Sequence, residues 1–176
     1  MKPLCLDILK LGNPRLRSQA LPLDMPLNQA QHRLIEQLID RMQASNGVGI
    51  AAPQVGIPWQ IIIVASRPTL RYPQAPRMEP IAMINPQILE DGGEQIQDWE
   101  GCLSVPNMRG LVTRAQHVTV RYHDLAAGCQ CERFSGFIAR IIQHEYDHLQ
   151  GRLFVDRVKQ SADLITEDEY QKLLIS

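Results

Sequence analysis

The sequence predicts an α+β fold in which antiparallel or mixed sheet packs around a central helix carrying an H-E-x-x-H pentapeptide. Three observations carry this prediction. Strand-like runs follow one another with only short turns between them, whereas parallel strands would need long crossovers. The hydrophobic period switches to a helical one near Ser135. The helix that begins there runs to Gln150 and contains His144-Glu145-Tyr146-Asp147-His148.

The elements follow in order. Asn28 to Ser45 reads as an amphipathic helix whose buried side is marked by Leu34, Ile35, Leu38, Ile39 and Met42. Gly47 to Gln54 reads as a loop of small residues, Gln60 to Ala65 as an apolar strand, and the proline-rich Arg67 to Pro80 as a surface loop. Ile81 to Glu90, Asp98 to Ser104 and Leu111 to His123 read as strands, and Cys129 to Cys131 as an extended segment. Gly151 is placed to cap the motif helix. A terminal helix is expected within Ser161 to Ile175, opened by the capping-box pattern Thr166-Glu167-Asp168-Glu169. Residues 1–176 fit one domain, long enough to bury a sizeable core, with no internal repeat or low-complexity tract.

The pentapeptide is the most informative stretch. Residues four apart on a helix share a face, so His144 and His148 can hold one divalent metal from one side, with Glu145 beside them to handle a proton. Phe137, Ile141, His144 and His148 form one stripe, and Ile138, Ile142, Glu145 and Leu149 the next. Both stripes face the core, with Arg140, Gln143, Asp147 and Gln150 on the opposite side. A helix whose buried histidines are merely hydrogen-bonded would show the same pentapeptide, so the metal reading needs a third ligand.

Histidine supply limits the choice. His32 lies on the first helix, and His117 and His123 belong to a strand-like run without partners at ligand spacing. No further histidine or glutamate follows at the spacings usual in H-E-x-x-H proteases. Upstream stands Glu100-Gly101-Cys102-Leu103-Ser104, where a cysteine behind a glycine can sit on a tight bend with its sulfur facing inward. The thiolate is the metal-binding form. Taken alone, Cys102 reads equally as a small buried apolar residue.

Gly47-Val48-Gly49-Ile50-Ala51-Ala52-Pro53-Gln54 resembles a dinucleotide-binding fingerprint at first sight. That motif needs a strand before the glycines and a helix after them. Here a helix precedes, and Pro53 arrives almost at once. A segment whose backbone approaches a substrate closely is the better account, with Gln54 supplying a side-chain amide donor.

In this order, G-x-G-x-A-A-P-Q, E-G-C-L-S and Q-H-E-x-D-H-L-x-G resemble the peptide deformylases. The similarity runs nearly end to end, from Asn13-Pro14-Arg15-Leu16-Arg17 through Met83-Ile84-Asn85-Pro86 to Gly151-Arg152-Leu153-Phe154-Val155-Asp156-Arg157. The resemblance implies a hydrolase of protein biosynthesis and N-terminal processing, removing the formyl group from N-formylmethionyl nascent polypeptides at the ribosome. It implies Cys102, His144 and His148 as metal ligands and Glu145 as catalytic acid/base. It also implies the Gln54 amide and the Leu103 backbone N–H as oxyanion donors, and Val48 and Gly49 as substrate-binding wall. Ile50 stands where leucine is commoner, and Gly12 where a proline often occurs; neither touches the chemistry. The tail after Arg157 is short, which leaves a ribosome-docking role for it in doubt.

The chemistry also follows without the family. Three protein ligands leave a fourth position open, the pattern of a catalytic site. A divalent metal lowers the pKa of a bound water towards ~7. Glu145 can take a proton from water and hand one to the departing amine, a double role worth roughly 10²–10⁴-fold. Sulfur and imidazole suit iron or zinc, and the resemblance favours Fe²⁺ in the cell, with Zn²⁺, Ni²⁺ or Co²⁺ as replacements and with air sensitivity. Phe137, Ile141 and Val48 are candidates for the methionine pocket.

Eighteen basic and 19 acidic residues give a net charge of -1, no electrostatic case for nucleic acid or anionic membranes. No apolar run approaches membrane-spanning length, and the first residues resemble neither a signal nor a transit peptide. Cysteines at 5, 102, 129 and 131 do not suggest a disulfide framework. A cytoplasmic enzyme, monomeric by default, is the expectation. The rivals are a metallopeptidase cutting internal bonds and a silent binding module that keeps the fold. The missing downstream ligand opposes the first, and the presence of Glu145, Cys102 and Gln54 opposes the second.

Overall fold

In this computed structural model, residues 6–69 and 72–175 are described; Cys5 lies outside them. Six strands form one sheet in the order β1-β2-β3-β4-β5, with β6 also pairing β4, and every strand pair is antiparallel. The strands are β1 (Gly49–Ala51), β2 (Ile61–Ser66), β3 (Met78–Cys102), β4 (Val105–His123), β5 (Cys129–Ser135) and β6 (Leu164–Thr166). Among the described residues three α-helices accompany them: α1 (Gln29–Ala44), α2 (Gly136–Leu149) and α3 (Glu167–Ile175).

Strand β2 explains the layering. All of its residues are buried, and they alternate between two cores. Ile61, Ile63 and Ala65 pack with Leu34, Ile35, Leu38 and Met42 of α1. Ile62 and Val64 pack with Ala139, Ile141, Ile142 and Leu149 of α2. The helices therefore cover opposite faces of the sheet. This arrangement accounts for an apolar run in β2 that lacks polar alternation.

Helix ends behave as the residues dictate. Asn28 caps α1 in a reciprocal box with Gln31. Gly151, at φ +69°, closes α2: its N–H donates to the His148 carbonyl and the next N–H to the Asp147 carbonyl. A β-carbon at Gly151 would lie 2.5 Å from the Arg17 carbonyl oxygen, so the cap is also a contact between segments. Thr166 Oγ1 accepts from the Glu169 N–H at the start of α3.

Four readings of the sequence need correction. Ile81–Glu90 and the segment from Asp98 are not separate strands but parts of β3, which ends at Cys102 before the Leu103-Ser104 turn and whose pairing with β4 is interrupted by register shifts. Cross-strand pairing to β4 carries the backbone through the Gly92-Gly93 pair, with a register shift between Gly92 and Gln95. The loop expected to end at Pro80 gives way to β3 at Met78. Gly49–Ala51, read as loop, is a short strand beside β2, followed by a 3₁₀ turn at Ala52–Val55. Finally, the side of α2 opposite the histidines is not free: Arg140, Gln143 and Asp147 are all buried. Among the described residues no helix is long and apolar enough to cross a membrane.

Candidate metal centre

Three segments converge on one cleft. Cys102 ends β3 immediately before the Leu103-Ser104 turn, in a stretch where the β3–β4 register shifts. His144 and His148 project from α2, one turn apart, with ring centroids separated by 5.2 Å. Cys102 Sγ lies 3.3 Å from His148 Nε2, and one ligand atom from each of Cys102, His144 and His148 falls within 4.8 Å of the others. His32, His117 and His123 join no such group among the described residues.

The surroundings fix each group. Glu100 Oε2 lies 2.9 Å from His144 Nδ1, which holds the ring and leaves its other nitrogen for the cleft. Burial lowers the His148 pKa well below its ordinary value, and the nearby charge of His144 adds to this; a neutral imidazole is the ligand form. Burial acts the same way on His144, but the neighbouring Cys102 sulfur and Glu100 carboxylate outweigh it and raise that group. The sulfur receives the Ser104 N–H at 3.4 Å and the Gln54 amide at 3.5 Å. Donors converging on one sulfur suit a thiolate.

Donor chemistry and buried atoms both fit a bound cation. One thiol and two imidazoles form a mixed sulfur–nitrogen set of the kind borderline-soft divalent metals take. His148 Nδ1 and Glu145 Oε2 are buried without a hydrogen-bond partner. Burial pushes the Glu145 carboxyl up to about 7. An unpaired carboxylate in such a place is costly unless it meets a positive or proton-bearing group.

Gln54 is 1% exposed. Its Oε1 accepts from the Ala51 N–H at 2.9 Å, and its Nε2 donates to Ser104 Oγ at 3.1 Å, so the amide orientation is determined from both ends. Leu103 occupies the β3–β4 turn, with its carbonyl accepting from Lys10 Nζ at 2.8 Å. The cleft is walled by Gly47, Val48 and Gly49 on one side and Gly101, Cys102 and Leu103 on the other. Phe137, Ile141, His144 and Glu145 also line it. Every site residue named from the sequence except His148, which reaches it through Cys102, thus borders this one space. Gly49 has a second reason to lack a side chain: a β-carbon there would overlap Glu145 Oε1.

The sequence reading missed the support beneath the site. Glu100 receives Arg114 through two bonds of 2.9 Å and Arg140 through one of 2.8 Å. Arg114 also bonds Asp147, which Arg157 grips as well. The signal was available, because Glu100 adjoins the Gly101-Cys102 bend and Asp147 lies inside the pentapeptide. Helical periodicity placed Arg140 and Asp147 on the side opposite the core-facing stripes, since it cannot foresee buried charges satisfied by one another. Tyr72 and Trp99 also line the cleft, reaching it from outside the three motifs.

The sequence matches the family model for polypeptide deformylases over residues 5–163. This chain belongs to the polypeptide deformylase family. Among its relatives, peptide deformylase 2 of Nostoc sp. (strain PCC 7120) is 49% identical over 174 residues, covering 99% of this chain and 97% of that one. Peptide deformylase 2 of Shewanella oneidensis is 44% identical, covering 93% and 90%. The Met-Ala-Ser-bound crystal structure of a class I type b peptide deformylase from Acinetobacter baumannii superposes with TM-score 0.86 at 46% identity. It covers 89% of this chain and 99% of that one. An actinonin complex of the Synechococcus elongatus deformylase gives 0.81 at 37% identity, covering 92% and 82%. Family and geometry together support one divalent metal ion held by this deformylase at the cysteine–histidine group.

Proposed function

We propose that this deformylase removes the N-terminal formyl group from formylmethionyl nascent polypeptides by metal-dependent amide hydrolysis, with residues 1–176 acting as one catalytic domain. The observation carrying this reading is the convergence of Cys102, His144 and His148 beside an unpartnered, buried Glu145. We read α2 as the central helix, its H-E-x-x-H pentapeptide supplying two ligands and the acid/base. Cys102, His144 and His148 would hold the ion, and Fe²⁺ is our assignment in the cell, with Zn²⁺, Ni²⁺ or Co²⁺ as substitutes. When bound, the ion supplies Lewis acidity at the reacting centre.

The protein's own groups do the rest. Glu145 takes a proton from the attacking water and delivers one to the departing amine nitrogen. A carboxyl balanced near 7 exchanges protons in both directions at neutral pH. Gln54 Nε2 and the Leu103 N–H donate to the oxyanion that forms on the formyl oxygen. The Gln54 bond to the Cys102 sulfur, and the place of Leu103 directly after Cys102 in the chain, support these assignments. Val48 and Gly49 present the β1 side of the cleft to the substrate backbone, while Phe137 and Ile141 receive the methionine side chain. Steric exclusion in the cleft that Gly49 and Gly101 line rejects an acetyl group, which carries one carbon more than a formyl. Because formylated N-termini arise where proteins are made, we assign the enzyme to the cytoplasm, meeting nascent chains at the ribosome as a monomer.

The test is one assay on anaerobically purified protein with three substrates: formyl-Met-Ala-Ser, Met-Ala-Ser and a casein-like protein. Release of formate from the first alone supports the reading. Cleavage of casein or of the unformylated peptide would make the chain a peptidase, and no turnover of any substrate would make it a binding module.

A further inference from the structure

Arg109 on β4 is fully buried, and every part of its guanidinium is engaged. Its Nε and Nη2 donate to the two carboxylate oxygens of Glu167 on α3, at 2.7 and 3.2 Å. Its Nη1 donates to the Tyr72 hydroxyl oxygen at 2.8 Å. The guanidinium carbon stands 4.6 Å from the Tyr170 ring centroid and 5.3 Å from that of Tyr72. Arg109 also lies against Gly101, where a β-carbon would come within 3.0 Å of its guanidinium carbon.

Two ring contacts link this cluster to the cleft. Tyr72 packs on Phe137 at 4.8 Å between centroids, and Trp99 packs on Tyr170 at 6.0 Å. Tyr72, Trp99 and Phe137 all line the cleft, whereas Tyr170 and Glu167 do not. The C-terminal segment is tied to the same place by backbone, since Ile165 of β6 pairs with Arg109 itself. Glu167 of α3 thus reaches the cleft wall through Arg109, and Tyr170 reaches it both through Arg109 and directly through Trp99.

We infer that Arg109 is a positioning residue that couples α3 to the aromatic wall of the cleft, so that the C-terminal helix sets how selectively the first side chain of the substrate is held. This rests on the deformylase reading. A flat, fork-shaped cation is well suited to this coupling, because it stacks against aromatic rings and binds a carboxylate with two parallel bonds, which lysine cannot do. Loss of the clamp leaves Tyr72 and Trp99 free to move, loosening the wall without touching Cys102, His144, His148 or Glu145.

The experiment compares wild type with Arg109→Met, Arg109→Lys, Glu167→Gln and Tyr170→Leu, reading kcat, KM, metal content and calorimetric affinity for Met-Ala-Ser. Substrates are formyl-Met-Ala-Ser and formyl-Leu-Ala-Ser. In Arg109→Met we expect KM for the methionine peptide to rise roughly tenfold, kcat to stay within about threefold, and product affinity to fall in parallel. Preference for methionine over leucine narrows, metal content is unchanged, and Arg109→Lys does not restore the wild-type values. Glu167→Gln and Tyr170→Leu move the same quantities less far, and they decide the matter should Arg109→Met fail to fold. Unchanged KM and preference in folded variants would overturn the inference, as would a fall in kcat accompanied by metal loss. A wild-type protein that turns over neither peptide would instead sink the deformylase reading, while the product affinities would still report on the clamp.

Discussion

At Gly49 the absence of a side chain is a steric requirement. A β-carbon would overlap the Glu145 carboxylate, with Cγ and Cδ both at 2.8 Å and Oε1 closer still. Gly49→Ala should therefore displace Glu145, lowering kcat by at least roughly tenfold while leaving metal content intact. Steady-state kinetics with elemental analysis checks this. Gln54 presents the next case. Its amide is fixed by Ala51 and Ser104, so donation to an oxyanion needs only the Nε2 hydrogen now directed at the Cys102 sulfur to turn towards it. Gln54→Ala should reduce kcat by roughly 10²-fold with KM changed much less. A raised KM with unchanged kcat would make Gln54 a ground-state binder. Cys102 separates ligand from filler. If its sulfur binds metal, Cys102→Ala loses tightly bound metal and activity together; if it only fills space, metal content stays and stability falls modestly. Cys102 and Gln54 stood out in the sequence through their motifs, and their roles are those the family resemblance implies, whereas the close approach of Gly49 to Glu145 left no mark in the sequence. Glu100 was not singled out, although it lies next to a glycine and a cysteine that were. Its role depends on Arg114, Arg140 and His144, which only the fold brings to it.

Between elements, the buried charge network ties β3, β4 and α2 into one block beneath the metal ligands. Glu100 joins Arg114 of β4 and both Arg140 and His144 of α2, and Arg114 continues to Asp147. Burial opposes ionisation of Glu100, but the Arg114 and His144 partners prevail and hold its carboxyl well below the ordinary value of 4.5. A depressed carboxylate contributes stability that is full above its unfolded pKa and declines as pH falls below it. Glu100→Gln leaves the buried Arg140 guanidinium without its anion and Arg114 with Asp147 alone, and should cost about 3–5 kcal/mol near neutral pH. Denaturant titrations should show that difference shrinking steadily as pH drops below 4.5. A difference independent of pH would mean that packing, not charge, holds these elements together. Element prediction fared unevenly for related reasons. Capped and strongly periodic helices such as α1 and α2 were read almost to their ends. The middle of β3 was not, because its acidic, glycine-containing sequence has no strand period of its own and is held by pairing with β4. Strand β6 has only three residues, too few to show a period.

For the molecule as a whole, the sheet separates two apolar cores, and the cleft opens where β1, the β3–β4 turn and α2 meet. The first strand contributes the side-chain-free Gly49, the end of β3 a sulfur, and the helix two imidazoles and a carboxyl. The α+β class and an antiparallel or mixed sheet followed from consecutive strands with short connections. The layering did not, since nothing local tells which face of β2 each helix covers. The central claim is that the deformylase holds its metal with Cys102, His144 and His148 while Glu145 moves protons without being a ligand. It is tested most directly by measuring metal content and formate release side by side in wild type and Glu145→Ala. We expect one metal per chain in both proteins and a loss of at least roughly 10²-fold in kcat for the variant. Near-wild-type turnover in metal-loaded Glu145→Ala, or loss of the metal along with the carboxylate, would contradict the account.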